Sequence, residues 1–449
     1  MRRGRHLRLA SPVFTGGGCW SEVASGSLVG GVHRAFGLRA VLIVGAAMAV
    51  SQPACAQYGG MAGGGPASAG QRFSATARAD VTYDSNAAGG SQGLANLRGL
   101  TPQDVIYLAS LSVMLNQPIG SQIAFLQATG GVDRHQNNPS LNSQNIDALG
   151  GLSGHLGACS ATATGGYSRH QTEQSELVVV ATTKNIAGVT SANGQVNCVR
   201  GHFLGGLSTH YSELRNSAQS SGYVNSTNSG IGASLGYASQ QAGDISFVAQ
   251  YGRTTYGTPA VPNAFKSPNF DSYSAGLTYK RKIGLRLSGE TSVFYTTTTS
   301  RADGVLLTKD RTFNGLTANI GLHYKPTGRT GLDIQYNRSV QPSPTGFSAF
   351  SVSETGSITG TYVLTSRINF HLGGSIQRDD YGGAGATGTV SLPGVVQNDR
   401  RLQVSGGASL KVGRNAALDL NAEHSHRQSD VAAFNENDTR VILGVSSKF

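Results

Sequence analysis

Charged and amide side chains recur at every second position in several segments of the chain. In "GLDIQYN", residues 331–337, Asp333, Gln335 and Asn337 share one strand face, and Asp419 and Asn421 repeat the pattern farther on. Charges of both signs with many amides favour weak contacts with neutral, hydroxyl-rich solutes over a single-sign ion filter. The candidates for lining a channel are Arg286, Glu290, Asp333, Gln335, Asn337, Asn369, His371, Gln377, Asp419, Asn421, Glu423 and Arg440. In an alternative interpretation, these groups pair with one another and brace the wall.

Motifs for catalysis or metal binding are weak. The run "GASLG" gives Ser234 a G-x-S-x-G context, but a nucleophile elbow needs a strand, a sharp turn and a helix, and here the strand alternation continues. His424 and His426 have a spacing that metals can use. They share a face with Leu418 and Leu420, however, which predicts exposed histidines near a rim. We therefore expect no catalytic residue, no metal or cofactor, and no enzymatic activity.

The same segments carry apolar residues at the intervening positions. Leu332, Ile334 and Tyr336 alternate with the polar residues of the first segment, and this alternation predicts β-strands with one apolar face. Only 13% of the residues are Asp, Glu, Lys or Arg, whereas about 25% is usual for a soluble domain. Low charge, 62 glycines and no long apolar run indicate a β-protein whose outer surface is not all in water.

The connectors between the predicted strands alternate in length. Short turns are predicted near residues 117–120, 192–195 and 282–284, and longer polar loops at 85–102 and 257–267. This rhythm is typical of transmembrane barrels, with short periplasmic turns and longer extracellular loops. The sequence predicts an all-β protein, a closed antiparallel transmembrane barrel of about 18 strands, with 16 as the alternative. Soluble sandwiches show the same alternation, but in lipid only a closed sheet leaves no unsatisfied strand edge.

The N-terminal segment predicts export from the cytoplasm. Residues 40–50, "AVLIVGAAMAV", are too few for a membrane-spanning helix, which takes about 20 residues. Small residues at Ala54 and Ala56 suit a signal peptidase. We expect a signal peptide with an over-called extension at 1–56, a flexible Gly- and Ala-rich leader at 57–71, and the barrel at 72–449. Lipidation of Cys55 is the alternative.

The formal net charge of +11 does not indicate a nucleic-acid partner. Part of the charge lies in the predicted signal segment, at Arg2, Arg3, Arg5, Arg8, Arg34 and Arg39. No run of Lys and Arg resembles a nucleic-acid-binding patch. We therefore expect no nucleic-acid partner.

The chain ends on a patterned strand, "TRVILGVSSKF", residues 439–449. Val441, Leu443, Val445 and Phe449 share one face, with Ser447 as a departure from it, although chain termini are normally frayed. The stretch looks like the C-terminal targeting signal of bacterial outer-membrane barrels. That likeness implies a location in the outer membrane, contact with outer-membrane lipid and lipopolysaccharide, and recognition by the barrel-assembly machinery.

Two cysteines of the exported chain are candidates for a disulfide. The compartment is oxidising, and the loop closed by Cys159 and Cys198 could contribute roughly 4 kcal/mol in the chain-entropy model. The predicted turns place both cysteines on ascending strands, with one descending strand between them. That separation argues against the bond, because Cα atoms more than about 7 Å apart cannot be bridged.

Several segments together resemble the outer-membrane β-barrel porin family found with exopolysaccharide biosynthesis operons. They are residues 79–89, 318–340, 359–383, 399–430 and the closing strand. The resemblance covers most of the exported chain, rests on strand texture and carries over no functional residues. It implies a conduit or accessory in exopolysaccharide export, with polysaccharide and export-complex proteins as partners.

Two other function classes stay open. A general or nutrient-uptake diffusion porin would be favoured by a long constriction loop folded into the barrel, and no loop in the sequence is clearly built for that. An outer-membrane enzyme would need a Ser and a His on one outward face near the rim.

Overall fold

The chain forms one sheet of 18 strands. The computed structural model describes residues 72–171, 185–217, 225–239, 241–257, 269–301, 312–342, 350–381 and 398–449. The strands are β1 (Phe73–Asp84), β2 (Asp104–Ile119), β3 (Gln122–His135), β4 (Ser143–Leu156), β5 (Cys159–Gln171), β6 (Ile186–Arg200), β7 (Phe203–Asn216), β8 (Ser226–Ser239), β9 (Gly243–Tyr256), β10 (Phe270–Ile283), β11 (Leu287–Ser300), β12 (Thr312–Tyr324), β13 (Thr330–Pro342), β14 (Phe350–Val363), β15 (Ile368–Asp380), β16 (Asn398–Val412), β17 (Ala416–Ser429) and β18 (Glu436–Lys448). A short helix α1 (Gln92–Arg98) and two single 3₁₀ turns, Pro139–Leu141 and Ala432–Phe434, lie in the connections.

The sheet closes on itself. Every strand pairs antiparallel with its neighbour in sequence, and β1 also pairs with β18, from Thr76 opposite Lys448 to Asp84 opposite Arg440. The predicted closed antiparallel barrel of 18 strands is therefore confirmed. Closure also explains the patterned C-terminus, because β18 hydrogen-bonds along both of its edges.

Side chains alternate between an outward face and a lumen face. Val81 and Leu443 lie opposite each other on β1 and β18 and are 43% and 57% exposed, so the apolar face is the outer one. The same exposure recurs on the outer face of the other strands, at residues such as Leu235, Leu277 and Leu372. The intervening positions point to the lumen and are mostly polar. An apolar outer band is what lipid requires of a barrel.

The strands meet in short turns at one end of the barrel and in longer loops at the other, which is called the mouth below. The predicted turn at 192–195 is wrong, because β6 runs unbroken from Ile186 to Arg200 and pairs with both β5 and β7. Its turn lies instead at Gly201, whose φ of 61° favours glycine. Two-sided strand pairing thus outweighs the local turn signal of Asn193 and Gly194.

Some predicted segments lie outside the described residues. They are the signal peptide at 1–56, the leader at 57–71 and nearly all of the loop at 257–267. Within the described ranges, no helix is both long and apolar enough to cross a membrane.

The loop that contains α1 packs against neighbouring loops at the mouth. Leu94 of α1 forms a buried cluster with Tyr381, just beyond β15, and Phe434 of the β17–β18 loop. The backbone N–H of Ser91 donates to the carbonyl of Ala433 at 3.0 Å, and the hydroxyl of Ser91 caps the helix. Burial raises the pKa of the Tyr381 phenol well above its usual value, so this side chain stays neutral. These contacts hold the longest described loop at the rim.

Candidate functional site

The lumen face is the candidate functional site, and it contains nearly all of the predicted channel-lining residues. Eleven of them lie on the lumen face of their strands, at the positions between the lipid-facing residues. They are Glu290, Asp333, Gln335, Asn337, Asn369, His371, Gln377, Asp419, Asn421, Glu423 and Arg440. Arg286 differs, because it lies in the turn between β10 and β11, where its carbonyl accepts from the N–H of Lys325 at 2.7 Å. Whether these groups contact a solute stays a prediction.

On strands β10–β18 and β1, four lumen-facing cations form ion pairs. Lys280 contacts Glu290 at 2.9 Å across β10 and β11. Arg78 contacts Asp80 at 2.8 Å on its own strand and Asp419 at 3.6 Å on β17. These pairs correspond in part to the bracing interpretation of the sequence pattern.

Two further pairs lie at the mouth. Arg427 is 2% exposed and contacts Asp399 at 2.7 Å, with its guanidinium 5.8 Å from the centre of the Phe434 ring. Arg440 contacts both Asp84 at 3.0 Å and Asp438 at 2.8 Å. These buried pairs link β16 with β17 and β18 with β1 at the rim.

Strands β2–β9 carry lumen charge in a different way. In these described strands every Lys or Arg points outward, at Arg134, Arg169, Arg200, Arg215 and Arg253, and none points to the lumen. The lumen-facing charged residues there are Asp104, Asp133, Asp147 and Asp244, together with histidines. Asp244 lies opposite Lys280 of β10, whereas Asp104 and Asp147 contact the imidazoles of His135 and His170. We call β2–β9 the acidic arc and β10–β1 the paired arc.

The aspartates of the acidic arc are held by neutral donors and by histidine. Asp133 accepts from Ser143 at 3.1 Å and from the amide of Asn145. Asp147 contacts Nε2 of His170 at 2.8 Å. None of these partners is a Lys or Arg, so in this part of the described lumen Asp133 has no fixed cation beside it. The sequence interpretation missed these aspartates. The signal was present, because Asp133 and Arg134 are consecutive in a strand and must therefore point to opposite faces of it.

The wall has a seam at the mouth between β12 and β13. Their pairing stops at Ala318 opposite Arg338, although β12 begins at Thr312 and β13 continues to Pro342. Strand β13 instead stays paired with β14 up to Pro342 opposite Phe350. The upper end of the β13–β14 hairpin is therefore separate from β12.

That upper end folds into the lumen. The Phe350 ring lies 6.2 Å from the ring of Phe270 on β10 and 6.3 Å from that of Phe313 on β12. Neighbouring strands are about 4.8 Å apart, so β10 and β14 would be about 19 Å apart along the wall. Phe270 and Phe313 face the lumen, so the contact is on the inner side, where Phe350 and Val352 are 1% and 3% exposed. The described ends of β13 and β14 therefore occupy space inside the mouth, whereas the loop that joins them, residues 343–349, lies outside the described residues.

The two exported cysteines are neighbours. Cys159 at the start of β5 lies directly opposite Cys198 on β6, with Cα atoms 3.9 Å apart and a disulfide between them. The predicted intervening strand is wrong, because it followed from the misplaced turn at 192–195. Both side chains are on the outward face near the turn end.

The described residues give little support for catalysis or for a metal site. Among the described residues, no group of three or more His, Cys, Asp or Glu side chains could hold a metal ion. Ser234 lies within β8, opposite Gly206 on β7, and no helix follows it. His424 and His426 are on the outward face and bond Thr439 and Asn437. The arrangement can bind and orient polar solutes in water.

A family model described as "Putative beta-barrel porin 2" matches residues 122–449. No curated protein matches the chain. Among solved structures, OpdL of Pseudomonas aeruginosa is similar, with 11% identity, a TM-score of 0.44, and coverage of 84% of this chain and 98% of that one. OccK2 (OpdF) of the same organism, in complex with glucuronate, has 9% identity, a TM-score of 0.44 and the same coverage. The FrpB iron transporter of Neisseria meningitidis has 9% identity and a TM-score of 0.46, with 84% and 82% covered. These likenesses assign no substrate to this chain.

Proposed function

The chain belongs to the family described as Putative beta-barrel porin 2, and we propose that this outer-membrane porin is a diffusion channel for small polar solutes that prefers cations to anions. The proposal has two parts, a limit on solute size and a preference for one sign of charge. Each part depends on a different region of the lumen.

The observation that carries the proposal is the inward position of the upper end of β14 at the mouth. Phe350 and Val352 occupy space inside the wall and contact Phe270 and Phe313. A barrel of 18 strands encloses water when nothing fills it. A segment that narrows such a barrel from inside limits the size of the solute and suits small molecules better than a wide polymer.

The acidic arc supports the preference for cations. Rings of Asp and Glu are a common basis of cation selection in channels, and a cleft lined with one sign of charge raises the local concentration of the opposite ion. Asp133 and Asp147 face the lumen on strands that present no Lys or Arg to it. In the paired arc, by contrast, carboxylates such as Glu290 and Asp399 are neutralised by a neighbouring cation.

A conduit or accessory in exopolysaccharide export is the second candidate. The observation in its favour is the set of lumen-facing amides, Asn337, Asn369 and Asn421, which suit weak contacts with hydroxylated chains. Under this proposal polysaccharide and export-complex proteins would be partners. A knockout separates the two candidates, since the channel proposal predicts slower uptake of small polar solutes with unchanged polysaccharide output.

The size limit can be tested by swelling of proteoliposomes in neutral sugars of increasing length. We expect the purified porin to admit small sugars and to exclude longer oligosaccharides. Phe350→Ala removes the ring that packs the upper end of β14 against Phe270 and Phe313, so the size limit should increase. Phe370→Ala is the matched control, because Phe370 is 41% exposed on the outer face. Swelling no faster than that of empty liposomes would contradict the channel, and a size limit unchanged by Phe350→Ala would contradict constriction by the hairpin.

A further inference from the structure

An unusual row of polar side chains crosses the outer face of the barrel near the mouth. Its members lie directly opposite one another on five consecutive strands, β13 to β17. In order they are Arg338, Glu354, Arg378, Arg400 and Gln428. The next outward positions toward the turn end include Tyr336, Ile376 and Leu402, which belong to the apolar band. The row therefore lies at the level where the hydrocarbon ends and lipid headgroups begin.

Two arginines of this row have no partner in the described structure. Glu354 is engaged by Arg338 at 3.0 Å. Arg378 and Arg400 lie directly opposite each other, and within the described ranges neither guanidinium has an ion pair or a hydrogen bond. Like charges that face each other across two strands destabilise a sheet. An anion between the two guanidinium groups would relieve that repulsion.

A cavity of about 720 Å³ opens at the same place on the outer face. Its lining includes Tyr336, Ile376, Arg378, Arg400, Gln428 and Asp430. The nearby carboxylates are engaged elsewhere, since Asp430 accepts from the N–H of Asn398 at 3.1 Å and Asp380 has a partner of its own. Glu354 and Asp399 also line the cavity, but they pair with Arg338 and Arg427. Two cations without an ion pair in the described structure, Arg378 and Arg400, and the amide of Gln428 thus lie above an aromatic and an aliphatic side chain.

We infer that Arg378 and Arg400 bind a phosphate group on the headgroup of a phosphorylated glycolipid in the outer leaflet, the class to which lipid A belongs. Guanidinium groups match phosphate oxygens in paired hydrogen bonds, and charge-assisted bonds of this kind are about twice as strong as neutral ones. Tyr336 and Ile376 lie below the arginines, toward the acyl chains. A lipid is the favoured source of the phosphate because the cavity opens outward at headgroup level. The inference does not depend on what passes through the lumen.

The test is binding of bisphosphorylated lipid A to the delipidated full-length porin, followed by native mass spectrometry. The wild-type protein should bind this lipid at least tenfold more tightly than dephosphorylated lipid A. Arg378→Gln with Arg400→Gln should remove most of that difference. Arg134→Gln with Arg169→Gln is the matched control. Both of these arginines face outward, but they lie on β3 and β5, which are not adjacent strands, so they do not face each other. The control should bind as the wild type does.

Several outcomes would overturn the inference. Equal binding of phosphorylated and dephosphorylated lipid A by the wild type would do so, and this comparison needs no variant. Unchanged binding by a folded double variant would also do so, as judged by its heat-dependent gel mobility, and the single Arg400→Gln serves if the double variant fails to assemble. Displacement of the lipid by inorganic phosphate alone at equal concentration would show a site for free phosphate instead.

Discussion

The paired arc, β10–β1, holds several lumen carboxylates with Arg or Lys, although Asp333 there contacts His323, whereas the described acidic arc, β2–β9, mainly uses neutral groups and histidine. In the paired arc, Asp399 and Asp84 lie against arginines and are 8% and 3% exposed. In the acidic arc, Asp133 and Asp147 are held by hydroxyl, amide and imidazole groups. A carboxylate beside a buried arginine mainly affects stability, whereas one beside neutral donors keeps its field in the lumen. Under the proposed function, the buried pairs of one arc mainly affect stability and the carboxylates of the other affect the choice of ion.

The largest expected effect is in the paired arc. Arg427→Ala leaves Asp399 buried without its cation, and breaking a buried pair in this way costs about 3–5 kcal/mol. We expect a clear fall in the temperature to which the sample must be heated before the folded band disappears from a denaturing gel. Arg427→Met with Asp399→Asn should recover part of the loss, because Asp399 is then neutral, whereas the buried Glu436 and Asp379 still lack the Arg427 charge. Equal stability of Arg427→Ala and the wild type would contradict the role given to this arc.

A smaller effect is expected at the disulfide between β5 and β6 of the acidic arc. Replacing Cys159 and Cys198 by serine should lower stability by about 2–4 kcal/mol, because the unfolded chain loses a cross-link. Thiol labelling of the unreduced, denatured porin should modify neither cysteine. Labelling of both would show that the bond does not form in the exported protein.

The smallest expected effect on stability is that of Asp147→Asn. Asp147 and His170 are both partly exposed to the lumen, and pairs of this kind contribute about 0–1 kcal/mol. The unfolding temperature should therefore change little, while the selectivity of the channel changes. A loss of stability as large as that of Arg427→Ala would remove the distinction between the two arcs.

Sequence alternation predicted the lumen side of most candidate residues, and together with the rhythm of connector lengths and the export signal it predicted the closed barrel. The reason is physical, since lipid outside and water inside impose a period of two on every strand, as in β18 with Leu443 outside and Arg440 inside. That Val441, Leu443, Val445 and Phe449 act as an assembly signal stays a prediction.

Features that depend on long-range packing could not be predicted in the same way. By alternation Phe350 and Val352 would face lipid, and only their contact with Phe313 and Phe270 shows that the upper end of β14 bends inward. The turn predicted at Asn193 and Gly194 failed for a similar reason, because pairing on both sides of β6 overrides a local signal. Local pattern specifies the faces of a strand but not where its end bends.

The central proposal is that Asp133 and Asp147 of the acidic arc, which have no Lys or Arg partner among the described residues, set the charge preference of the channel. Its most direct test is the zero-current potential of the purified full-length porin in a planar bilayer across a tenfold KCl gradient. The account predicts a potential whose sign shows K⁺ crossing faster than Cl⁻, and a shift toward zero for Asp133→Asn with Asp147→Asn. A wild-type potential near zero, or one of the opposite sign, in a conducting porin would contradict it.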